Sequence, residues 1–243
     1  MIFIIKGIEL HDISLPSGVY SELEKAEITG SVLFSFNDVQ LRWIGLENWT
    51  YTLQFNLTTD DFRREFVILT FNGLDTLAKV YLNEELIGLT NNMFVRYRFD
   101  VLDSLVSGTN TITINFQSPV EGAKNLNAKR EKEVPPACPP EVYNGECHVN
   151  LLRKMQASFA WDWGLAAPST GIWKSVQLEA YDSIVIRDVT YKLIDGPLEP
   201  EVRDDCEDCD EEIEDIWTLK IFVHIETGMK AAEFDGLVQC ELV

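Results

Sequence analysis

Long apolar runs, basic clusters and histidine are all scarce in this 243-residue sequence. No stretch approaches the ~18 consecutive apolar residues that spanning a bilayer requires, so no membrane association is expected. The opening MIFIIKGIELHD has an apolar patch of only five residues, with no basic region before it and no small-residue cleavage site. It falls short of a signal peptide. The two expectations are a cytosolic chain, or one whose N-terminus lies further upstream. No basic stripe is present to neutralise phosphates, which argues against a nucleic-acid partner. The three histidines, His11, His148 and His224, are scattered without metal-ligand spacing,. There is no G-x-S-x-G elbow, no phosphate-binding glycine loop and no H-E-x-x-H. Accordingly no catalytic residue, metal or cofactor is expected in this chain.

Acidic residues are abundant instead. The formal net charge is −20. Glu199 to Asp215 alone holds eleven acidic residues against one arginine, which supplies −10 of it. So dense a run repels itself and is expected as a solvated insert. Cys206 and Cys209 form a C-x-x-C inside it, without the second pair that a zinc ribbon needs. Of the five cysteines, Cys138 and Cys147 lie in the proline-rich loop PPACPPEVYNGECH, of the kind a local disulfide closes,. If the chain enters the secretory pathway, that bridge is expected. So is glycosylation of the sequons Asn48-Trp-Thr and Asn56-Leu-Thr.

The dominant pattern is the β-strand. From Trp49 to Leu57 every odd position is large and apolar and every even one polar, which is a half-buried strand. Both sequon asparagines share the polar parity. Phe66 to Phe71 is a continuous apolar run suited to a central strand. Ala78 to Leu82 precedes a hairpin turn at Asn83-Glu84-Glu85, and Phe94 to Phe99 alternates again. Gly108-Thr109-Asn110 reads as a turn, after which Ile112, Ile114 and Phe116 share a face. Gly171–Tyr181, Ile184–Leu193 and Trp217–Ile225 supply further strands. Helical signals are confined to single turns near Ser21–Ala26 and Asp103–Val106. Short strands with turn chemistry between them predict an all-β chain, a sandwich or barrel, and exclude an alternating α/β barrel.

One segment carries chemistry: Arg153-Lys-Met-Gln-Ala-Ser-Phe-Ala-Trp161-Asp162-Trp163-Gly164, followed by Gly171-Ile-Trp-Lys174. Two indoles flanking a carboxylate suit sugar recognition, because flat apolar rings stack on C–H faces and a carboxylate accepts hydroxyl hydrogen bonds. Core tryptophans around a turn aspartate satisfy the same pattern, and the chemistry alone favours that plainer reading.

This segment, together with FNDVQLRWIGLENWTYTLQF (Phe36–Phe55) and FNGLDTLAKVYLNEELIGLTNNMF (Phe71–Phe94), resembles the N-terminal region of animal β-mannosidases of glycoside hydrolase family 2. The resemblance runs from about Pro16 through Leu193. The strands that such sequences carry before Pro16 are absent or replaced. It implies a galactose-binding-like jelly-roll sandwich over residues 14–182. A truncated start of an immunoglobulin-like sandwich would follow over 183–243, with the acidic insert at 199–215. It further implies that Trp161, Asp162 and Trp163 bind a terminal mannose of a β-mannoside oligosaccharide. The catalytic glutamates belong to a barrel that this chain lacks, and the implied location is lysosomal or secreted. The alternative is a stand-alone carbohydrate-binding module without hydrolase activity.

Overall fold

The computed structural model describes residues 2–5, 8–58, 63–162, 164–196 and 217–227. The chain divides into two compact units, Met1–Ala180 and Tyr181–Val243. The acidic run, Cys206, Cys209 and Trp163 lie outside the described residues.

In chain order the first unit carries β1 (Ile2–Ile5), β2 (Ile8–Leu10), α1 (Val19–Lys25), α2 (Asn37–Gln40), α3 (Trp43–Leu46) and β3 (Trp49–Leu57). Then come β4 (Phe66–Phe71), β5 (Leu74–Asp75), β6 (Ala78–Leu82), β7 (Glu85–Thr90), β8 (Tyr97–Asp100) and β9 (Gly108–Phe116). Helix α4 (Pro119–Ala128) follows, and after a long irregular stretch β10 (Gly171–Ile172) and β11 (Val176–Tyr181). The strands form a six-stranded sheet in the order β2-β1-β3-β9-β6-β7, a three-stranded sheet β11-β4-β8, and a short pair β10-β5. This is an all-β sandwich.

Sequence pattern explains the layering. Strand β3 pairs with β9 along its whole length, from Trp49 opposite Phe116 to Leu57 opposite Gly108. Its odd residues point inward, with Trp49 and Tyr51 fully buried, because successive side chains alternate between faces. Strand β4 lies at the centre of its sheet, and Val67 through Phe71 are all buried, as its unbroken apolar run requires. Trp49, Tyr51, Val80 and Ile114 from one sheet share a single core with Val67, Leu69 and Phe71 from the other. Each such side chain stabilises by about 1.5–3 kcal/mol through burial. The rings meet edge to face, Tyr51 on Phe116 at 5.6 Å and Phe71 on Phe99 at 6.2 Å. A Cβ on Gly88 would lie 2.1 Å from the Phe99 ring, so only glycine allows that approach of β7 to β8.

The β6–β7 hairpin turns through Asn83 and Glu84 at φ 49° and 71°, the left-handed pair of a two-residue hairpin turn. Asn83 accepts from the Thr111 amide at 2.9 Å and donates to the Ser104 carbonyl at 2.9 Å, fixing the turn to its neighbours.

Four features differ from the sequence pattern. The opening strands, expected to be absent or replaced before Pro16, are present, since β1 pairs antiparallel with both β2 and β3. Of Phe94–Phe99 only Tyr97 onward is strand, because the Tyr97 hydroxyl accepts the Asn91 and Asn92 amides and folds the preceding residues into a loop. Asn110 is not in a turn. It is fully buried within β9, where its side chain bonds the amide and carbonyl of Val106. Helix α4 was not anticipated. Ser118 caps it by accepting from the Glu121 amide at 3.1 Å, with Pro119 in the first turn,.

The second unit, as described, is the antiparallel pair β12 (Ile184–Asp195) and β13 (Trp217–Thr227). Tyr191, Trp217 and Leu219 are exposed on it. No helix among the described residues is long and apolar enough to cross a membrane.

Candidate functional site

The irregular stretch between α4 and β10 carries the W-D-W-G segment. It leaves the sandwich at Arg153, whose carbonyl accepts the Met93 amide at 2.9 Å. The next residue anchors it. Lys154 is fully buried, and its ammonium lies 3.1 Å from Asp75 Oδ1, 3.2 Å from Ser158 Oγ and 3.0 Å from Ser169 Oγ. Ser169 in turn donates to Asp75 at 2.5 Å, and Thr76 donates to the same carboxylate. Burial pulls the Lys154 ammonium below the usual lysine range, an effect that the neighbouring Asp75 carboxylate opposes,. The buried pair thus ties both ends of the 154–169 segment to β5.

From that anchor a one-turn helix, Gln156–Phe159, buries Phe159. Ala160 follows at φ 132° and ψ 157°, a region that side chains other than glycine rarely adopt. This reversal throws the next residues outward. Beyond it the Gly164 amide donates to the Trp161 carbonyl at 2.8 Å. Trp161 is 65% exposed and Asp162 is exposed at the tip. The chain therefore breaks from strand into a presenting loop here, and these two side chains are not core groups.

The opposite wall comes from the proline-rich loop. Cys138 and Cys147 are disulfide-bonded. Between them the chain reverses through Asn144, left-handed at φ 47°, so Tyr143 faces the turn. The Tyr143 hydroxyl donates to Asp162 Oδ1 at 2.9 Å. That hydrogen bond, with the carboxylate's charge, raises the Tyr143 hydroxyl above its ordinary pKa. The Glu146 amide donates to the Phe159 carbonyl at 2.7 Å, and the Glu146 carboxylate pairs with Arg42 at 2.5 Å. Gly145 sits so close that a Cβ would lie 2.6 Å from both Ala160 Cβ and the Phe159 carbonyl oxygen. Between the loops is a largely apolar cleft of about 480 Å³, lined by Pro139, Pro140, Tyr143, His148, Trp161 and Asp162. An exposed indole and a carboxylate on its rim can stack on a sugar ring and accept its hydroxyls.

The other sequence-derived positions lie elsewhere. Asn48 and Asn56 are exposed at the two ends of β3. Their Oδ1 atoms accept from the Ser118 amide and the Thr109 hydroxyl, both at 2.8 Å. Among the described residues no cluster of histidine, cysteine and carboxylate suits a metal ion. Tyr143, Lys154 and Asp75 were not anticipated as parts of the site. Lys154 sits at the head of a mixed polar and apolar run, Met155-Gln-Ala-Ser-Phe159, that does not mark it as buried. Tyr143 gave no signal either.

Residues 5–174 match the family described as glycosyl hydrolase 2 galactose-binding domain-like. The chain is 46% identical to a β-mannosidase of Capra hircus over 170 residues, which is 70% of this chain and 19% of that protein. It is 42% identical to a β-mannosidase of Rattus norvegicus, covering 73% of this chain and 20% of the other. With a probable β-mannosidase of Caenorhabditis elegans the identity is 36% over 74% of this chain and 20% of the relative. The chain thus spans about a fifth of the length of these curated relatives. Among solved structures, the β-D-mannosidase of Dictyoglomus thermophilum superposes with a TM-score of 0.73 at 24% identity, over 93% of this chain and 25% of the other. An exo-chitosanase of Amycolatopsis orientalis superposes with a TM-score of 0.54 at 17% identity, over 76% of this chain and 18% of the other. At these identities the two structures speak to the sandwich fold. With the matched span reaching from the first strands past the W-D-W-G turn to Trp173-Lys174, the chain belongs to the galactose-binding-like domain family of glycosyl hydrolase 2 proteins.

Proposed function

We propose that this chain is the N-terminal, sugar-contacting part of a retaining exo-β-mannosidase, which releases β-linked mannose from the non-reducing ends of oligosaccharides. The observation that carries the reading is the exposed Trp161–Asp162 turn on the rim of a cleft, held out by a strained Ala160 and a buried ion pair. In this role Asp162 accepts hydroxyl hydrogen bonds of the terminal mannose, and Trp161 stacks on its ring. Trp163 is assigned the same sugar-contacting role on the resemblance. Retention requires two carboxylates about 5–5.5 Å apart, one a nucleophile and the other an acid/base. Both are assigned to a barrel in the part of the relatives' length that this chain does not span. Residues from about 183 onward are read as the start of an immunoglobulin-like sandwich leading toward that barrel. A lysosomal or secreted location, with glycans on Asn48 and Asn56, goes with this reading.

The test is Asp162→Asn in the full-length enzyme. Losing a carboxylate that accepts sugar hydroxyls should cost ~1.5–3 kcal/mol of binding, lowering kcat/KM for an aryl β-mannoside roughly 10- to 150-fold. The melting temperature should stay put, because the side chain is exposed. Normal kcat/KM in this variant would overturn the assignment.

A further inference from the structure

We infer that Tyr143 is a positioning residue of the sugar site, holding one oxygen of Asp162 so that the other faces the substrate. The inference rests on the reading of Asp162 as a sugar ligand. A carboxylate at the tip of an exposed turn is otherwise free to rotate about two bonds, and ordering it on binding costs conformational entropy. The Tyr143 hydroxyl, 2.9 Å from Oδ1, removes that freedom beforehand. Asp162 Oδ2 has no protein partner among the described residues, and is thus the atom left for a sugar hydroxyl.

Tyr143 can do this because its own loop is fixed. The Cys138–Cys147 bond closes the loop at its base. Within it, the Glu146 amide holds the Phe159 carbonyl, and the Glu146 carboxylate is clamped by two Arg42 nitrogens, at 2.5 and 2.9 Å. Gly145 seats against Ala160, the residue that launches the turn. The phenol and the carboxylate therefore sit on two segments that are locked to each other one residue before Trp161. The hydroxyl is protonated at neutral pH, as an ordinary tyrosine is, and so is a donor there; the carboxylate raises it further. Tyr143 lies within the cleft wall, so its ring faces the same space as the ligand.

Three variants of the full-length enzyme test this: Tyr143→Phe, Asp162→Asn and the pair together, assayed with an aryl β-mannoside. Tyr143→Phe removes one exposed hydroxyl and keeps the ring, so folding and melting temperature should be unchanged. Its kcat/KM should fall about 10-fold, mainly through KM. If Tyr143 acts through Asp162, the double variant is no worse than Asp162→Asn alone, the signature of two residues working as one unit. Wild-type kcat/KM in Tyr143→Phe overturns the inference. So do losses that multiply in the double variant, or a fall in melting temperature that accounts for the loss. Asp162→Asn with wild-type kinetics fails differently: it removes the sugar-ligand reading itself.

Discussion

The Nζ of Lys154 lies 3.1 Å from Oδ1 of Asp75, with side-chain exposures of 0% and 4%. A lysine sealed from water needs its charge matched and its donors filled, and the Asp75 carboxylate with two serine hydroxyls does both,. Removing one partner leaves a buried charge alone. Lys154→Met should therefore destabilise the domain by about 3–5 kcal/mol, which for a domain this size lowers Tm by roughly 6–20 °C. Replacing both residues, as in Lys154→Met with Asp75→Leu, should recover part of the loss. Calorimetry on the two variants decides it. Equal instability would mean that the pairing is not the cause.

The loop clamp can be probed in a second way. A Cβ on Gly145 would meet backbone, at 2.6 Å from the Phe159 carbonyl oxygen, as well as Ala160 Cβ and Pro139. Backbone cannot give way cheaply, so Gly145→Ala should push the two loops apart. Overpacking of this kind costs typically 1–3 kcal/mol. Trp161 fluorescence, or hydrogen exchange of the Glu146 amide, should report the separation. An unchanged Glu146 protection factor would contradict the tight seat.

Part of this architecture can be read directly from residue order. Strand β3 announces itself through nine alternating positions, and the continuous run of β4 marks a strand buried on both faces,. Ser118-Pro-Val-Glu121 is a helix start by cap chemistry, yet α4 beyond it has few apolar positions at helical spacing, which hid it. The site is less legible because its contacts are long-range. Tyr143 and Asp162 are 19 residues apart, and Lys154 and Asp75 are 79 apart. Nothing in local pattern links a tyrosine in a cysteine-bounded loop to an aspartate in a tryptophan turn. Only closure of both loops does so. The W-D-W-G segment itself fits strand and loop alike, and the backbone reversal at Ala160, φ 132°, just ahead of it is invisible in the sequence.

The disulfide offers a third test. In the chain-entropy account, closing a loop with a sequence separation of 9 should contribute about 2–3 kcal/mol,. Replacing both cysteines by serine should lower Tm accordingly and loosen the Tyr143 loop. Non-reducing peptide mapping of secreted material should recover Cys138 and Cys147 in one linked peptide. Free thiols at both positions would reject the bond in the native protein.

The two units should also differ in dynamics. Strand β3 is paired on both sides, by β1 and β9, above a closed core. Among the described residues, β12 and β13 have only each other, and Trp217 and Tyr191 are 60% and 73% exposed on them. A lone two-stranded ribbon is marginally stable in water. Amides of β12 and β13 should exchange much faster than those of β3 in the isolated chain. Equal protection would show that the second unit encloses a core of its own.

The Tyr143–Asp162 contact can be checked in solution without any substrate. An ordinary tyrosine titrates near 10. A phenol that donates to a carboxylate resists losing its proton, because the phenolate would lose the hydrogen bond and face a second negative charge. Both effects raise Tyr143. Tyr20 and Tyr51 are raised as well, but by burial first, so total absorbance alone does not isolate the residue. The difference between wild type and Tyr143→Phe does, since that pair differs by one phenol. Subtracting their tyrosinate absorbance near 295 nm across an alkaline titration should give a single late transition. In an Asp162→Ala background the same subtraction should give a transition displaced downward, toward the ordinary value, because partner and charge are both gone. Buried Tyr20 and Tyr51 are unaffected by the change at Asp162 and cancel in each subtraction. If the transition attributed to Tyr143 stays where it was when Asp162 is removed, the two side chains do not meet in solution.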